Sequence, residues 1–263
     1  MYPTPDLSTT LGEQQALRML GISPGPEDGI DGPATQAARA AFQRTHGLDP
    51  TGLTGPAFVA ALAIALRTDT IPPPSPPISL LPFVQAKNFT PAHRTTIDLI
   101  VVHTMESPEK PGTAANVARW FAGPDAPRAS AHYCVDRDQI VQCVRDEDVA
   151  WHAPGANHNG IGIEHAGYAR QTPEEWADDY SMVMLDRSAE LAARLCRRYS
   201  IPIVWLSALH LKSPGARGIT GHVQCTEAFS NGHGHTDPGP HFPIDGYLDR
   251  VRRAYTLGMP VRS

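Results

Sequence analysis

The sequence predicts an α/β fold, a mixed β-sheet flanked by helices, preceded by a small three-helix bundle. Three observations predict it. A proline-dense stretch, TDTIPPPSPPISLLP (68–82), divides the 263-residue chain unevenly. Ahead of it, apolar residues recur at helical spacing. Behind it, short β-branched runs alternate with a long helical stripe, the pattern of a sheet with helices packed on it.

In the first part, Leu11 to Leu20 and Ala34 to Phe42 carry helical apolar spacing. The intervening GISPGPEDGIDGPAT is rich in turn formers. A third helix is expected from Pro56 to Leu66, which makes residues 1–67 a compact bundle with a modest core. Residues 68–82 hold six prolines, five of them within 72–77. Proline fixes φ and removes amide donors, so an extended, semi-rigid spacer is expected there. The remainder, 83–263, forms the larger domain.

That domain opens on IDLIVVH (97–103), read as a buried strand with Leu99, Val101 and His103 on one face. AHYCVD and QIVQCV flank a polar turn and read as a hairpin. In GIGIEHAG (160–167), Ile161 and Ile163 share one face while Gly162 and Glu164 point the other way. Thr172 with Glu175 fits a capping box, with Pro173 at the first helical position. From there a single helix is expected to Tyr199, its stripe of Trp176, Tyr180, Met184, Leu191 and Leu195 facing the core. ARGITGH (216–222) is a short segment that ends on another histidine.

Composition narrows the function. Net charge is −5, and no basic run stands out, which argues against a nucleic-acid partner. No apolar run approaches a membrane span. The N-terminus lacks a basic segment followed by an apolar one, so no Sec signal is expected. The four cysteines include no C-x-x-C pair, which gives neither a zinc knuckle nor a disulfide framework. Histidine is abundant at 12 residues, and all but His46 lie at or beyond His93. Residues 231–243, NGHGHTDPGPHFP, set three histidines and an aspartate in a loop that buries little apolar surface, so a metal site is a better account than packing. Its partners must come from elsewhere: His103, His222 and Asp237 lie on three separate segments, with His233 and Cys225 as competing ligands. Spacing alone leaves that choice open. The chain has no H-E-x-x-H, G-x-S-x-G or G-x-x-x-x-G-K motif, the signatures of thermolysin-like, elbow-type serine and P-loop enzymes.

Two resemblances add to this reading. Gln14, Leu17, Leu20-Gly21, Asp28 to Thr35 (DGIDGPAT), Phe42-Gln43 and Gly47-Leu48 resemble the three-helix peptidoglycan-binding module over about residues 8–66. This implies bacterial peptidoglycan as partner. In the larger domain, IVVHTMESPEKPGTAANVARWFAG, SAHYCVDRDQIVQ, AWHAPGANHNGIGIEHAG, GITGH and HTDPGPHFP occur in an order that resembles the type 2 zinc N-acetylmuramoyl-L-alanine amidases, relatives of peptidoglycan recognition proteins and phage lysis amidases.

The second resemblance implies a zinc site in a surface cleft with His103, His222 and Asp237 as ligands. The third ligand is a cysteine in many relatives and aspartate here; zinc accepts both. It also implies Glu164 as the base, a role some relatives give to a tyrosine where this chain has Ala131. His235 takes the place of a residue, often lysine, that donates to the developing oxyanion. Trp151, His152, Asn157 and Asn159 are expected to border the cleft and meet substrate, whereas His132, His165 and His241 are expected to be packed or solvated. The implied reaction is zinc-dependent hydrolysis of the amide between N-acetylmuramic acid and L-alanine. QAKNFTP and HTMESPEKPGTA look most like endolysins of phages that infect actinobacteria. This implies storage in the host cytoplasm before release to the wall; separately, a monomer is expected. Two alternatives stand beside it: a non-catalytic recognition protein, which would lack a ligand or the base, and a zinc peptidase cutting the stem peptide, whose S-x-H-x-x-G-x-A-x-D signature is missing.

Overall fold

The computed structural model describes residues 5–20, 22–68, 78–230 and 234–257. The chain divides into two compact units, Met1–Ile71 and Pro72–Ser263. The small unit holds α1 (Thr10–Met19), α2 (Pro33–Thr45) and α3 (Pro56–Thr68). Thr9 caps α1 by accepting from the Gly12 amide, and proline opens both later helices, where a missing N–H costs nothing. Leu17, Phe42, Phe58 and Leu62 form its core, with the two phenylalanine rings edge to face at 5.6 Å.

A repeat runs through this unit that the turn-former reading of the sequence passes over. DGIDGPA (28–34) and TGLTGPA (51–57) are two copies of one loop, each leading into a proline-started helix. Each copy is latched by a glutamine on the preceding helix. Gln14 accepts from the Gly29 amide and donates to the Ile30 carbonyl, at 2.8 and 3.1 Å. Gln43 does the same with Gly52 and Leu53, at 2.8 and 3.0 Å. Between the loops, buried Arg39 pairs with Glu13 at 2.6 Å and Asp31 at 2.7 Å, and the Thr54 hydroxyl donates to Glu13. Removing one partner of a buried pair strands the other's charge. Arg39→Ala is therefore expected to destabilise this unit by about 3–5 kcal/mol, visible as an early transition in a thermal melt of the full chain.

The larger unit begins with a short 3-10 turn at Ile78–Leu80, followed by Leu81, which packs into the larger core. The end of the expected extended spacer is thus folded onto this domain; residues 69–77 of that spacer lie outside the described residues. The elements then run β1 (Phe89–Thr90), β2 (Leu99–Thr104), α4 (Thr113–Ala122), β3 (Tyr133–Val135), β4 (Ile140–Gln142), β5 (Val149–Ala150) and β6 (Gly160–His165). After them come α5 (Pro173–Trp176), α6 (Asp179–Tyr199), α7 (Ala208–Leu211), β7 (Gly218–Gly221), α8 (His222–Phe229) and α9 (Ile244–Leu257). A five-stranded sheet has the order β4-β3-β6-β2-β7, with β4 antiparallel and the rest parallel. β1 and β5 form a separate antiparallel pair.

Central parallel strands are covered on both faces, so β2 is apolar throughout until its histidine. One face, with Ile100, Val102, Ile161, Ile163 and Ile219, packs against Met184, Leu191, Leu195, Tyr247 and Val251 of α6 and α9. On the other, α4 sets Ala114, Val117, Ala118 and Phe121 against Cys134, Val141 and Cys143. Leu99 and Val101 on that second face meet Leu206, Leu211 and Cys225.

The single helix expected from Thr172 to Tyr199 is two. The Thr172–Glu175 capping box is formed, but it starts only the four-residue α5. Asp178 then caps α6, its side chain accepting from the Ser181 amide. A second N-cap inside an apolar stripe competes with helix continuation, and here it wins. No helix among the described residues is long and apolar enough to cross a membrane.

Candidate metal centre and active site

The parallel strands end together, and their register sets what meets there. His103 is one residue from the end of β2 and pairs in register with Glu164 of β6. Val102 pairs with Gly221 of β7, so His222, the first residue of α8, arrives at the same edge. The third segment is the loop after α8. Val223 donates its amide to the Asp237 carbonyl at 2.8 Å, docking that loop on the start of the helix.

Asp237 thereby lies between two histidines. Its Oδ2 is 3.0 Å from His103 Nδ1 and its Oδ1 is 3.2 Å from His222 Nδ1. All three residues are buried, at 2%, 4% and 5% exposure. Burial works against ionising Asp237, but hydrogen bonds from His103 and His222 outweigh it and hold the carboxylate well below the usual range. Burial pushes His103 down, toward the neutral imidazole that serves as a metal ligand.

These residues fit a metal ion. One donor atom from each lies within 4.8 Å of the others. Ligands about 2.0–2.1 Å from a tetrahedral zinc would stand about 3.3 Å from one another, near the 3.0 and 3.2 Å at which the two Asp237 oxygens meet His103 and His222. Two imidazoles and one carboxylate also match the three-ligand sets that leave a zinc position open.

Glu164 borders this cluster on the His103 side. Its Oε2 is buried without a hydrogen-bond partner. Burial raises its carboxyl well above the ordinary value, and the nearby Asp237 adds to this. His235 lies on the outer side, with a side chain 71% exposed. Its ring stacks on His222 at 4.3 Å, and its Nδ1 is 3.7 Å from Asp237 Oδ1. Cys225 faces away into the apolar cluster, where burial pushes its thiol up to about 12. His233 lies outside the described residues.

The four residues expected to border the cleft are placed differently from one another. Trp151 is half-buried, and its indole N–H donates to Thr90 at 2.9 Å. Asn157 turns its side-chain oxygen inward to accept from the His152 and Ala153 amides. Asn159 pairs with Asp98 at the start of β6, five residues before Glu164, and is not brought to the site. At about 3.3 Å per residue that is some 16 Å along the strand. His152 is buried behind His103. Of the histidines expected to be packed or solvated, His132 and His165 are fully buried and His241 is exposed.

The loop's glycine is as constrained as its ligand. Gly239 has φ of 92°, and a Cβ there would stand 1.8 Å from the Ala169 carbonyl oxygen. Gly239→Ala is expected to shift the loop that carries Asp237 and weaken any metal binding at the cluster, measured by chelator competition. The left-handed conformation alone costs an L-residue on the order of 1 kcal/mol or more.

A family model for N-acetylmuramoyl-L-alanine amidase matches residues 93–240, and one for a peptidoglycan-binding domain matches residues 14–62. N-acetylmuramoyl-L-alanine amidase A of Achromobacter lyticus is 33% identical over 175 residues, spanning 63% of this chain and 89% of that protein. The localization factor PodJL of Caulobacter vibrioides is 41% identical over 54 residues, 20% of this chain and 6% of that one. Among solved structures, Staphylococcus aureus hydrolase AmiA, in complex with its ligand, is similar in fold, with a TM-score of 0.52 at 17% identity over 72% of this chain and 87% of that one.

Proposed function

The chain belongs to the N-acetylmuramoyl-L-alanine amidase family, and from that premise we propose that it is a zinc-dependent peptidoglycan amidase of the phage endolysin type. The bond cut is the amide between the lactyl group of N-acetylmuramic acid and L-alanine. The observation that carries the zinc reading is the meeting of His103, His222 and Asp237, from three distant segments, beside an unpartnered carboxylate.

His103, His222 and Asp237 would hold the ion through two imidazole nitrogens and one carboxylate oxygen. A zinc ion there supplies Lewis acidity, which polarises the scissile carbonyl and acidifies a water molecule. Glu164 takes the proton of the attacking water and delivers it to the leaving amine of L-alanine. Its burial suits the task, since a carboxylate with few partners holds a proton readily. His235, at the exposed side, donates a hydrogen bond to the oxygen of the tetrahedral intermediate. Trp151 is the remaining candidate for contact with the glycan.

The small unit supports the same reading through effective concentration. Two sites on one chain, one that anchors and one that cuts, raise residence on a polymer without new contacts. An enzyme that acts as a monomer, stored in a host cytoplasm and released to the wall, uses that arrangement well.

The test is mass spectrometry of purified peptidoglycan after digestion with zinc, with chelator, and with His222→Ala. Zinc-dependent release of stem peptides beginning at L-alanine, with peptide-free glycan, is the expected result. Cleavage within the stem peptide would make the protein a peptidase instead. Binding without new fragments would make it a recognition protein.

A further inference from the structure

The motif WHAPGANHNGIGIE contains a histidine turned away from solvent and toward the metal cluster. His152 is only 7% exposed, and its Nδ1 is 3.1 Å from His103 Nε2, the ring nitrogen turned away from Asp237. The two rings meet edge to face, with centroids 5.2 Å apart.

The surrounding chain is shaped to hold it there. A Cβ on Gly162 would lie 2.7 Å from His152 Cγ and 2.9 Å from its Nδ1, so the glycine leaves the slot the ring fills. Gly160 stands at the lower end of that slot, with His152 Cε1 3.4 Å from where its Cβ would be. Asn157 fixes the loop from the other side, accepting from the His152 and Ala153 amides at 2.8 and 2.7 Å. His132 closes the far side, its ring 5.5 Å away and steeply inclined.

An imidazole that offers its Nδ1 lone pair to a metal must carry its proton on Nε2, and that proton needs an acceptor. Among the described residues, His152 Nδ1 is the polar atom within reach of His103 Nε2. We propose that His152 is a positioning residue: it accepts the His103 Nε2 proton and thereby fixes both the tautomer and the ring orientation of the ligand. This rests on the zinc reading given above. Metal-binding histidines regularly hand their second nitrogen to a carboxylate, carbonyl or water; here another imidazole takes that part. The G-I-G of the strand then has a purpose beyond packing, because a side chain at Gly162 would evict the acceptor.

The experiment is zinc titration of the metal-free full chain against a chromophoric chelator, with apo-protein circular dichroism and thermal melts recorded for each variant. Wild type is expected to bind one zinc per chain and His103→Ala to lose it. His152→Leu fills the slot without an acceptor and should weaken zinc by about 10- to 100-fold. His152→Asn restores an acceptor where Nδ1 stood and should recover most of that loss, which a merely space-filling role would not produce. Gly162→Ala, which keeps the imidazole but displaces it, should behave like His152→Leu. Should the leucine variant fail to fold, the asparagine and Gly162→Ala variants decide the matter by the same opposite responses. Wild-type affinity in His152→Leu, or equal losses in folded His152→Leu and His152→Asn, would overturn the proposal while leaving the zinc site standing. A wild-type chain that binds no zinc would overturn the zinc reading itself, and the proposal with it.

Discussion

Glu164→Gln is expected to lower the rate of amide hydrolysis by about 10²- to 10⁴-fold while zinc affinity stays close to that of the wild type. The substitution keeps the shape of the side chain and removes its ability to accept a proton. Glu164 pairs in register with His103 yet makes no hydrogen bond through Oε2, so its loss should leave the three ligands in place. A second consequence runs the other way. Burial first, and then the neighbouring Asp237, raise the Glu164 carboxyl well above its ordinary value. A carboxyl that binds its proton more tightly when folded than when unfolded loses stability as it is forced to ionise. In the metal-free protein that loss sets in above the unfolded-state value of about 4.3 and persists to neutral pH. Metal-free Glu164→Gln should therefore melt at a higher temperature than wild type at pH 8, with the difference closing as the pH falls toward 4. Activity lost while apo-protein stability rises is the mark of a group held for chemistry. A Glu164→Gln enzyme with near-wild-type turnover would assign the proton to another residue.

The sequence made some of this structure legible and hid the rest for identifiable reasons. Strands β2 and β6 were readable because a covered strand needs β-branched residues, and in β6 alternation then set Glu164 on the face opposite Ile161 and Ile163. That these two stand side by side is a matter of parallel register, which no local pattern encodes. His103, His222 and Asp237 lie far apart in the chain and meet because β2 and β7 end at one edge, where the loop after α8 docks on the start of that helix. Motif order carried that information where periodicity could not. Helix α4 escaped the pattern reading although Ala114, Val117, Ala118 and Phe121 have the spacing of a buried face. The break between α5 and α6 was signalled by Asp178, which reads as an ordinary polar residue until its side chain is seen to accept from Ser181.

His152 shows a different limit. A histidine beside a tryptophan in a glycine-rich loop looks like a substrate contact, because exposure is assumed for loops. Only the alternation of Gly160 and Gly162 hinted that a ring from elsewhere occupied that face. The repeat in the small unit was also present in the letters, as DGIDGPA and TGLTGPA. Its meaning became plain once Gln14 and Gln43 were seen to hold the two loops with matching hydrogen bonds.

His222→Ala is expected to have the larger effect on activity, a loss of about 10³- to 10⁴-fold or more, since a Lewis acid contributes several kcal/mol to such a reaction. His222 is the first residue of α8 and faces the same carboxylate as His103, so its removal breaks the three-residue cluster proposed to hold the ion. Chelated wild type should lose activity to the same extent and regain it when zinc is returned; His222→Ala should not regain it. His235→Ala, by contrast, removes an exposed donor and should cost about 10²-fold with zinc still bound. This ranking would separate the residues proposed to hold the ion from the one proposed to meet the oxyanion. Binding to insoluble wall offers an internal control, because the latched loops of the small unit share no residue with the metal cluster. His222→Ala that still sediments with peptidoglycan but cuts nothing would place anchoring and hydrolysis on separate parts of the chain. If His222→Ala instead retained full activity, the ion would have to be held by other residues or not be needed, and the assignment of His103 and Asp237 would fall with it.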